Sequence, residues 1–159
     1  MSYRMSMEAA DIPMWIVEKV LHQGAEATVT AGSWMGKSAV LKMRKPRGHR
    51  TPHLDRKLTR QRLTVEARAL GRLQFHNLSA PSIIDLDLEQ GWILMSKIEG
   101  ITLFDYLNNK NNLISEKIKL FGATIRELHE IGISHGDLTT HNVLIDNGGN
   151  LSLIDFGLA

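Results

Sequence analysis

Residues 135–142, His-Gly-Asp-Leu-Thr-Thr-His-Asn, constrain this chain more than any other feature. Two short apolar segments follow, 143–145 and 151–154, and the stretch that joins them, Asp-Asn-Gly-Gly-Asn, is typical of a hairpin turn. The run 155–157, Asp-Phe-Gly, comes directly afterwards. The chain thus carries two carboxylates and a carboxamide at fixed spacing around a strand–turn–strand unit. Oxygen donors of this kind are the ligands that Mg²⁺ prefers.

These three polar side chains meet the requirements of phosphoryl transfer. That reaction needs Mg²⁺ on the phosphates and a group that aligns the attacking oxygen, but little covalent chemistry from the protein. Asp137 can accept a hydroxyl proton or orient a water, so we predict that it is the catalytic aspartate. We predict that Asn142 and Asp155 bind Mg²⁺ through side-chain oxygens. Each residue alone would be interpreted as a turn or cap residue, and their common spacing favours a site.

A lysine and a glutamate earlier in the chain can supply the cation that this chemistry also requires. Lys42 ends the apolar run 39–41, and a lysine on such a strand can reach the α- and β-phosphates of a nucleotide. It needs a carboxylate to hold it, and Glu66 lies in the middle of a predicted helix. We therefore predict a catalytic ion pair of Lys42 and Glu66. The alternative is an exposed lysine and a solvated glutamate.

Two further segments are expected to contact the nucleotide, which we predict to be ATP. The stretch 24–27, Gly-Ala-Glu-Ala, lies where a phosphate-covering loop is expected, but the pattern G-x-G-x-x-G is absent and one glycine remains. Residues 95–98 are expected to form a hinge whose backbone groups pair with adenine, and a plain connector is the alternative. The residues predicted to bind ATP are Gly24, Ala25, Glu26, Lys42, Met95, Ser96 and Ile98.

The order of predicted elements indicates an α+β, two-lobed, protein-kinase-like fold. Apolar patterning and punctuating glycines predict strands at 15–21, 28–34, 38–43, 81–88, 92–95, 143–145 and 151–154. Caps and helical periodicity predict helices at 52–73, 103–108 and 115–130. We predict a single domain over residues 1–159, with a β-rich N-lobe that contains one helix over about 13–97 and a truncated helical C-lobe over about 98–159.

Composition limits the class of protein. With 159 residues, 43% hydrophobic and 23% charged, the chain is long enough for one ordinary globular domain with a core. The absence of cysteine excludes disulfides and thiolate metal sites and fits a reducing cytosol, so we expect a cytoplasmic protein. No apolar run approaches the roughly 20 residues that span a bilayer, so we expect no membrane association.

Charge is distributed unevenly along the chain. Of the 19 lysines and arginines, eleven lie between Lys42 and Arg72, against two of the 17 acidic residues, Asp55 and Glu66. A basic block on an otherwise acidic chain favours an anionic partner. The phosphates of a nucleotide, tRNA or an acidic protein face would fit, and a solvated basic helix face is the alternative.

The sequence resembles a known family, the small atypical serine/threonine kinase–ATPase of the KEOPS complex, called EKC in eukaryotes and related to RIO-type kinases. The resemblance covers almost the whole chain from about Ile16. The segments that carry it are 24–27, 40–42, the basic run 44–50 with Pro52, Leu54 and Asp55, then Arg62, 66–68, Leu70, 98–100, 135–140 and 155–158. The run His-Gly-Asp-Leu-Thr-Thr and the basic segment before Glu66 are its most specific parts.

The resemblance implies ATP and Mg²⁺ binding, ATPase activity and phosphorylation of serine or threonine. It implies partners among the KEOPS subunits, including the threonylcarbamoyl-transferase subunit, and a role in making threonylcarbamoyl-adenosine in tRNA. Contact with tRNA through segment 42–72 is part of this expectation. By position, Lys42 and Glu66 match the ion pair of the family, Asp137 its catalytic aspartate, and Asn142 and Asp155 its metal ligands.

Two departures from the family and two rival functions remain open. His141 stands where the family usually has serine, and we expect this difference to have little effect. The chain ends at Ala159, and we expect it to be a fragment of a longer protein.

One rival function is that of a small-molecule phosphotransferase of the aminoglycoside or choline kinase type, which shares the His-Gly-Asp loop. The other is a non-catalytic truncated scaffold that binds a partner or tRNA through its basic block.

Overall fold

The computed structural model describes residues 12–45, 48–109 and 114–157. The chain divides into two compact units. The first contains the described residues up to Leu63 together with 83–97, and the second contains 64–82 and the residues from Ile98 onward. Each unit is built around a different antiparallel sheet.

The sheet of the first unit has five strands in the order β1-β2-β3-β5-β4. Its strands are β1 Trp15–Gln23, β2 Ala27–Trp34, β3 Lys37–Arg44, β4 Ile83–Asp87 and β5 Trp92–Ser96. The first three form the predicted meander, and each neighbouring pair is antiparallel. Strand β3 is central, so residues on it are flanked by backbone on both sides.

The two faces of this sheet are covered differently. Ala39 and Leu41 pack on one face with Trp15, Trp92 and Leu94. Val40 points to the other face and packs with Ile93, Met95 and the helix residue Leu63. Since successive side chains on a strand alternate between faces, Lys42 lies on the Val40 side of the sheet.

One long helix, α1 Pro52–Phe75, follows β3. Thr51 caps it, because its Oγ1 accepts a hydrogen bond from the N–H of Leu54 at 3.3 Å. Its buried side chains include Leu63, Glu66, Leu70 and Leu73, a spacing of three and four residues that defines one helix face. The helix therefore presents Glu66 on the same face as Leu63.

The second unit contains the last half of α1, two further helices and a three-stranded sheet. The helices are α2 Leu103–Asn108 and α3 Ile114–Glu130, and the strands are β6 Ile101–Thr102, β7 Val143–Ile145 and β8 Leu151–Leu153, in the order β6-β7-β8. A 3-10 turn, Thr140–Asn142, leads into β7. All predicted helices and strands are confirmed, with ends that differ by at most two residues, whereas β6 was missed because two residues carry no periodic pattern.

Glycines fix two of the turns in this unit. Gly132 has φ +77° and ends α3, and its N–H donates to the carbonyl of His129 at 2.9 Å, as its position after the helix predicts. Gly100 has φ +136°, and a Cβ there would lie 2.3 Å from the carbonyl oxygen of Ile145. Only glycine therefore lets the chain enter β6 beside β7.

None of the helices within the described residues is both long and apolar enough to cross a membrane.

Candidate functional site

The second unit brings Asp137, Asn142 and the segment before Asp155 together through one side-chain and one backbone hydrogen bond. The side-chain Nδ2 of Asn142 donates to the carbonyl of Asp137 at 2.9 Å. The N–H of Ile154 donates to the carbonyl of Asn142 at 3.0 Å. Because the amide nitrogen of Asn142 is engaged by the loop, its Oδ1 is directed away from that carbonyl and can serve as an acceptor or ligand.

His135 links the two ends of the same arrangement. Its ring is 2% exposed, and its Nδ1 accepts a hydrogen bond from the N–H of Asp137 at 3.3 Å. Its Nε2 therefore carries the proton and donates to the carbonyl of Ile154 at 2.7 Å. The ring also packs against the fully buried Phe156, with centroids 4.7 Å apart. Both ring nitrogens are occupied by backbone, so His135 supports the loop before Asp155 and does not act as a general base.

Asp155 itself has an unusual backbone. Its φ is +61°, in the left-handed region, and its side chain is exposed. Aspartate tolerates this conformation better than most residues, although at a cost that its neighbours must offset. Its two neighbours hold the backbone in place. Phe156 is buried directly after it, and both the N–H and the carbonyl of Ile154 form hydrogen bonds.

The donor set of this unit fits Mg²⁺ and does not fit a metal held by the protein alone. No group of three or more His, Cys, Asp or Glu side chains is placed to bind a metal in the described parts of the chain. Mg²⁺ commonly uses one or two protein oxygens and takes the rest from phosphates and water. Asn142 and Asp155 can supply that number when a nucleotide is bound.

The hairpin that joins Asn142 to Asp155 is tightly held. The N–H of Asn150 donates to Oδ1 of Asp146 at 2.9 Å, and Nδ2 of Asn150 donates to its Oδ2 at 3.2 Å. These hydrogen bonds, that of the backbone first, hold the pKa of the Asp146 carboxyl below its usual value. Nζ of Lys117, on α3, donates to the carbonyl of Gly149 at 2.8 Å. The turn between β7 and β8 is therefore held both by its own side chains and by a lysine of α3.

Lys42 and Glu66 are both buried. Lys42 is 9% exposed on the central strand, opposite Ile93 of β5, and Glu66 is 2% exposed on α1. The alternative of an exposed lysine and a solvated glutamate is therefore excluded. Each residue lies buried within its own unit, where a charge needs a compensating opposite charge or hydrogen bond.

The stretch 24–27 forms a tight turn between β1 and β2. The N–H of Gly24 donates to the carbonyl of Ala27 at 3.0 Å, and the N–H of Lys45 donates to the carbonyl of Glu26 at 2.9 Å. A carboxylate oxygen of Glu26 lies 2.8 Å from a guanidinium nitrogen of Arg62, on α1. Arg62 was not among the predicted site residues, although its position one helical turn before Glu66 was a usable signal.

The predicted hinge begins inside a strand. Met95 and Ser96 are the last residues of β5 and pair with Val40 and Ala39 of β3. The N–H of Lys97 donates to the carbonyl of Ser38 at 3.4 Å. Ile98 is the first residue of the last segment of the second unit and is half-buried.

Several side chains of the basic segment are engaged within the protein. Arg60 forms an ion pair with Glu89, and Arg62 forms one with Glu26. A guanidinium nitrogen of Arg72 donates to the carbonyl of Ile131. Part of the segment's positive charge is therefore used within the protein, in addition to any binding of an anionic partner.

His141 has a partner that the sequence did not indicate. Its ring stacks on that of Phe104 in α2, with centroids 4.3 Å apart and an interplanar angle of 23°. The stack joins the 3-10 turn that ends at Asn142 to a second helix, so His141 contributes to the position of its neighbour.

Two sequence relatives share most of this chain. A protein of Methanobrevibacter smithii named "Probable bifunctional tRNA threonylcarbamoyladenosine biosynthesis protein" is 34% identical over 148 residues, which are 93% of this chain and 26% of that protein. A protein of Schizosaccharomyces pombe named as an EKC/KEOPS complex subunit is 36% identical over an alignment of 160 positions, which covers 94% of this chain and 67% of that protein. The chain thus spans about a quarter of the archaeal relative and two thirds of the yeast one.

The fold is shared with a solved kinase. The Rio2 kinase of Chaetomium thermophilum, in a complex with ADP, Mg²⁺ and phosphoaspartate, matches with a TM-score of 0.68 at 18% identity over 98% of this chain and 51% of that one. This likeness confirms the predicted kinase-like fold. The RIO domain family matches residues 37–159, more than half of the sequence. The chain therefore belongs to the RIO domain family.

Proposed function

We propose that this chain is an ATP-dependent phosphotransferase or ATPase that serves the threonylcarbamoyl-adenosine modification of tRNA as a subunit of a KEOPS-type assembly. Membership of the RIO domain family supports chemistry of the phosphotransferase or ATPase class. The names of the relatives, which refer to this complex and this modification, support the biological setting.

The observation that carries the chemical part of the proposal is the hydrogen-bonded assembly of Asp137, Asn142 and the segment before Asp155. Its contacts are made by backbone groups, by the side-chain amide of Asn142 and by the buried ring of His135. A site in which the positions of the polar groups are fixed before the substrate arrives loses little energy to reorganisation in the transition state.

The roles of the residues follow from their chemistry. Asp137, exposed at the end of its loop, accepts the proton of a serine or threonine hydroxyl, or of a water, as that oxygen attacks the γ-phosphorus and the bond to the β-phosphate oxygen breaks. Asn142 and Asp155 hold Mg²⁺ through oxygen atoms. Lys42 contacts the phosphates and is balanced by Glu66. When bound, Mg²⁺ would neutralise negative charge on the phosphates.

The remaining nucleotide contacts are assigned to the two segments predicted for them. The turn at Gly24, Ala25 and Glu26 covers the phosphates. The ends of β5 and the residues that follow it, Met95, Ser96 and Ile98, accommodate adenine. Since the N–H of Lys97 already donates to Ser38, we assign the adenine contacts to other backbone groups of this stretch.

The partners are proposed on the same basis. The threonylcarbamoyl-transferase subunit of the complex is the expected protein partner, and segment 42–72 is the expected contact for tRNA. The cytosol is the proposed location, because a protein without cysteine is suited to a reducing compartment.

The experiment that tests the chemistry compares Asp137→Ala and Asp155→Ala with the unmodified protein. Removal of either group should lower phosphate release or transfer from Mg-ATP by about a thousandfold, since each acts on the reacting atoms. Calorimetry should show weaker Mg-ATP binding for Asp155→Ala and nearly unchanged binding for Asp137→Ala.

The matched control is Asp105→Ala, which removes an exposed aspartate in the first turn of α2 in the same unit. It should turn over ATP at the rate of the unmodified protein. Turnover at the rate of the unmodified protein in both Asp137→Ala and Asp155→Ala would refute the proposal. Transfer to a sugar or an amine, with none to protein or water, would replace it by the small-molecule phosphotransferase.

A further inference from the structure

The turn that we propose to cover the phosphates is held by a side chain and not by glycines. In a loop with several glycines, backbone N–H groups can approach a phosphate closely. Here the sequence from 24 to 27 has one glycine, and Glu26 is the only residue in it with an ionisable side chain. Its carboxylate bonds Arg62, which is 36 residues away in the chain. The ion pair therefore connects the turn to helix α1.

The pair is partly protected from water. The side chains of Arg62 and Glu26 are 31% and 44% exposed, whereas those of the Arg60–Glu89 pair on the same helix are 59% and 73% exposed. The carbonyl of Glu26 also accepts a hydrogen bond from the N–H of Lys45, just after β3. The main chain and the side chain of Glu26 are thus held from two directions, which limits where the turn can move.

The charge of Glu26 would otherwise oppose the proposed ligand. A carboxylate next to the phosphates of a nucleotide adds a like-charge repulsion. The guanidinium of Arg62 at 2.8 Å neutralises that carboxylate and draws it toward the helix. Glu26 therefore fits a role in binding Arg62 better than a role in binding the nucleotide directly.

Arg62 lies four residues before Glu66, so both side chains project from the same side of α1. We propose that Arg62 is a positioning residue of the nucleotide site, which acts through Glu26 to hold the covering turn. This inference rests on the proposed function. Helix α1 then carries both the arginine that holds the turn and Glu66.

The test is a double-mutant cycle on the full chain, with Mg-ATP binding by calorimetry and steady-state turnover as readouts. Glu26→Gln and Arg62→Gln should each weaken Mg-ATP binding by about fivefold, the effect of losing one partly buried ion pair. The double variant should be weaker by the same fivefold and not by the product of the two. The rate at saturating ATP should change by less than about twofold, because neither group contacts reacting atoms.

Rescue and a matched control separate positioning from general stability. The exchanged pair, Glu26→Arg with Arg62→Glu, should recover most of the affinity. Arg60→Gln, which removes the more exposed ion pair of the same helix, should bind Mg-ATP normally. Amide hydrogen exchange at residues 24–27 should rise in Arg62→Gln and in Glu26→Gln without nucleotide, and should stay unchanged in Arg60→Gln.

Failure of this inference is distinct from failure of the proposed function. If the unmodified protein does not bind Mg-ATP, the proposed function is refuted, and hydrogen exchange still decides whether Arg62 holds the turn. If the unmodified protein binds Mg-ATP, then normal binding by Arg62→Gln, or effects that multiply in the double variant, would overturn the positioning role. An equal loss in Arg60→Gln would overturn it as well.

Discussion

The turn at 24–27 and the loop that begins at His135 are both assigned to one nucleotide, but the protein holds them by different means. The turn depends on an ion pair of two long side chains that are partly in water, together with backbone hydrogen bonds at its base. The loop depends on hydrogen bonds between its backbone, the side-chain amide of Asn142 and a histidine side chain that is 2% exposed.

This difference indicates how firmly each region is fixed. Exposed ion pairs contribute little free energy and are weakened by salt, while buried polar groups are costly to leave without partners. The loop around Asp137 and Asp155 should therefore keep its shape under most conditions. The turn should open more readily, as a segment that admits and releases a ligand must.

The largest effect on stability is expected when the support of the loop is removed. In His135→Leu, an apolar side chain fills the space of the imidazole ring. It leaves the carbonyl of Ile154 and the N–H of Asp137 without their hydrogen-bond partner. We expect a loss of about 2–3 kcal/mol in the free energy of unfolding, measured by urea denaturation. His129→Leu, at an exposed position in the last turn of α3, is the control and should change stability little. An unchanged free energy of unfolding in His135→Leu would show that the ring does not hold the loop.

A smaller effect, with a different response to salt, is expected at the turn. Glu26→Gln should lower the free energy of unfolding by less than about 1 kcal/mol at low ionic strength. The difference from the unmodified protein should shrink further in about 1 M salt, where charges are screened over a few ångströms. The difference caused by His135→Leu should persist in the same salt. Urea denaturation of both variants at two ionic strengths measures these differences. An equal response to salt would show that the turn and the loop are not held by different means.

The smallest effect is expected at the hairpin, and it should depend on pH. The hydrogen bonds from Asn150 lower the pKa of Asp146, so the charged carboxylate is favoured in the folded protein. Its contribution to stability is present above the unfolded pKa and is lost as pH falls through the folded one. Asp146→Ala should therefore be slightly less stable than the unmodified protein at neutral pH. The thermal midpoints of the two should converge in acid, below the ordinary pKa range of aspartate, and a gap that widens in acid would be inconsistent with this assignment.

Much of the fold could be predicted from sequence because local signals agree with the final structure. Thr51 and Pro52 mark the start of α1, Gly132 marks the end of α3, and the run 146–150 marks a hairpin turn. The motif around Asp137 was also visible, because its polar residues lie within one short stretch. The catalytic, metal-binding and nucleotide-binding roles assigned to these residues remain predictions.

The rest depends on contacts between distant segments, which local patterns do not encode. Strand β5 pairs with β3 although β4 comes first in the chain, and β6 is recognisable only once it lies beside β7. The Glu26–Arg62 pair requires the register that places Glu26 opposite Lys45. The stack of Phe104 on His141 requires α2 to lie against the 3-10 turn.

The left-handed backbone at Asp155 limits what evolution or a protein engineer can place there. Asparagine and glycine adopt this geometry readily, but neither carries a negative charge. Glutamate keeps the charge, but it lacks the tolerance of aspartate for positive φ and its longer side chain would move the carboxylate. A variant library at this position that is selected for folding alone should thus be enriched in sequences without an acid, while selection for ATP turnover should return aspartate.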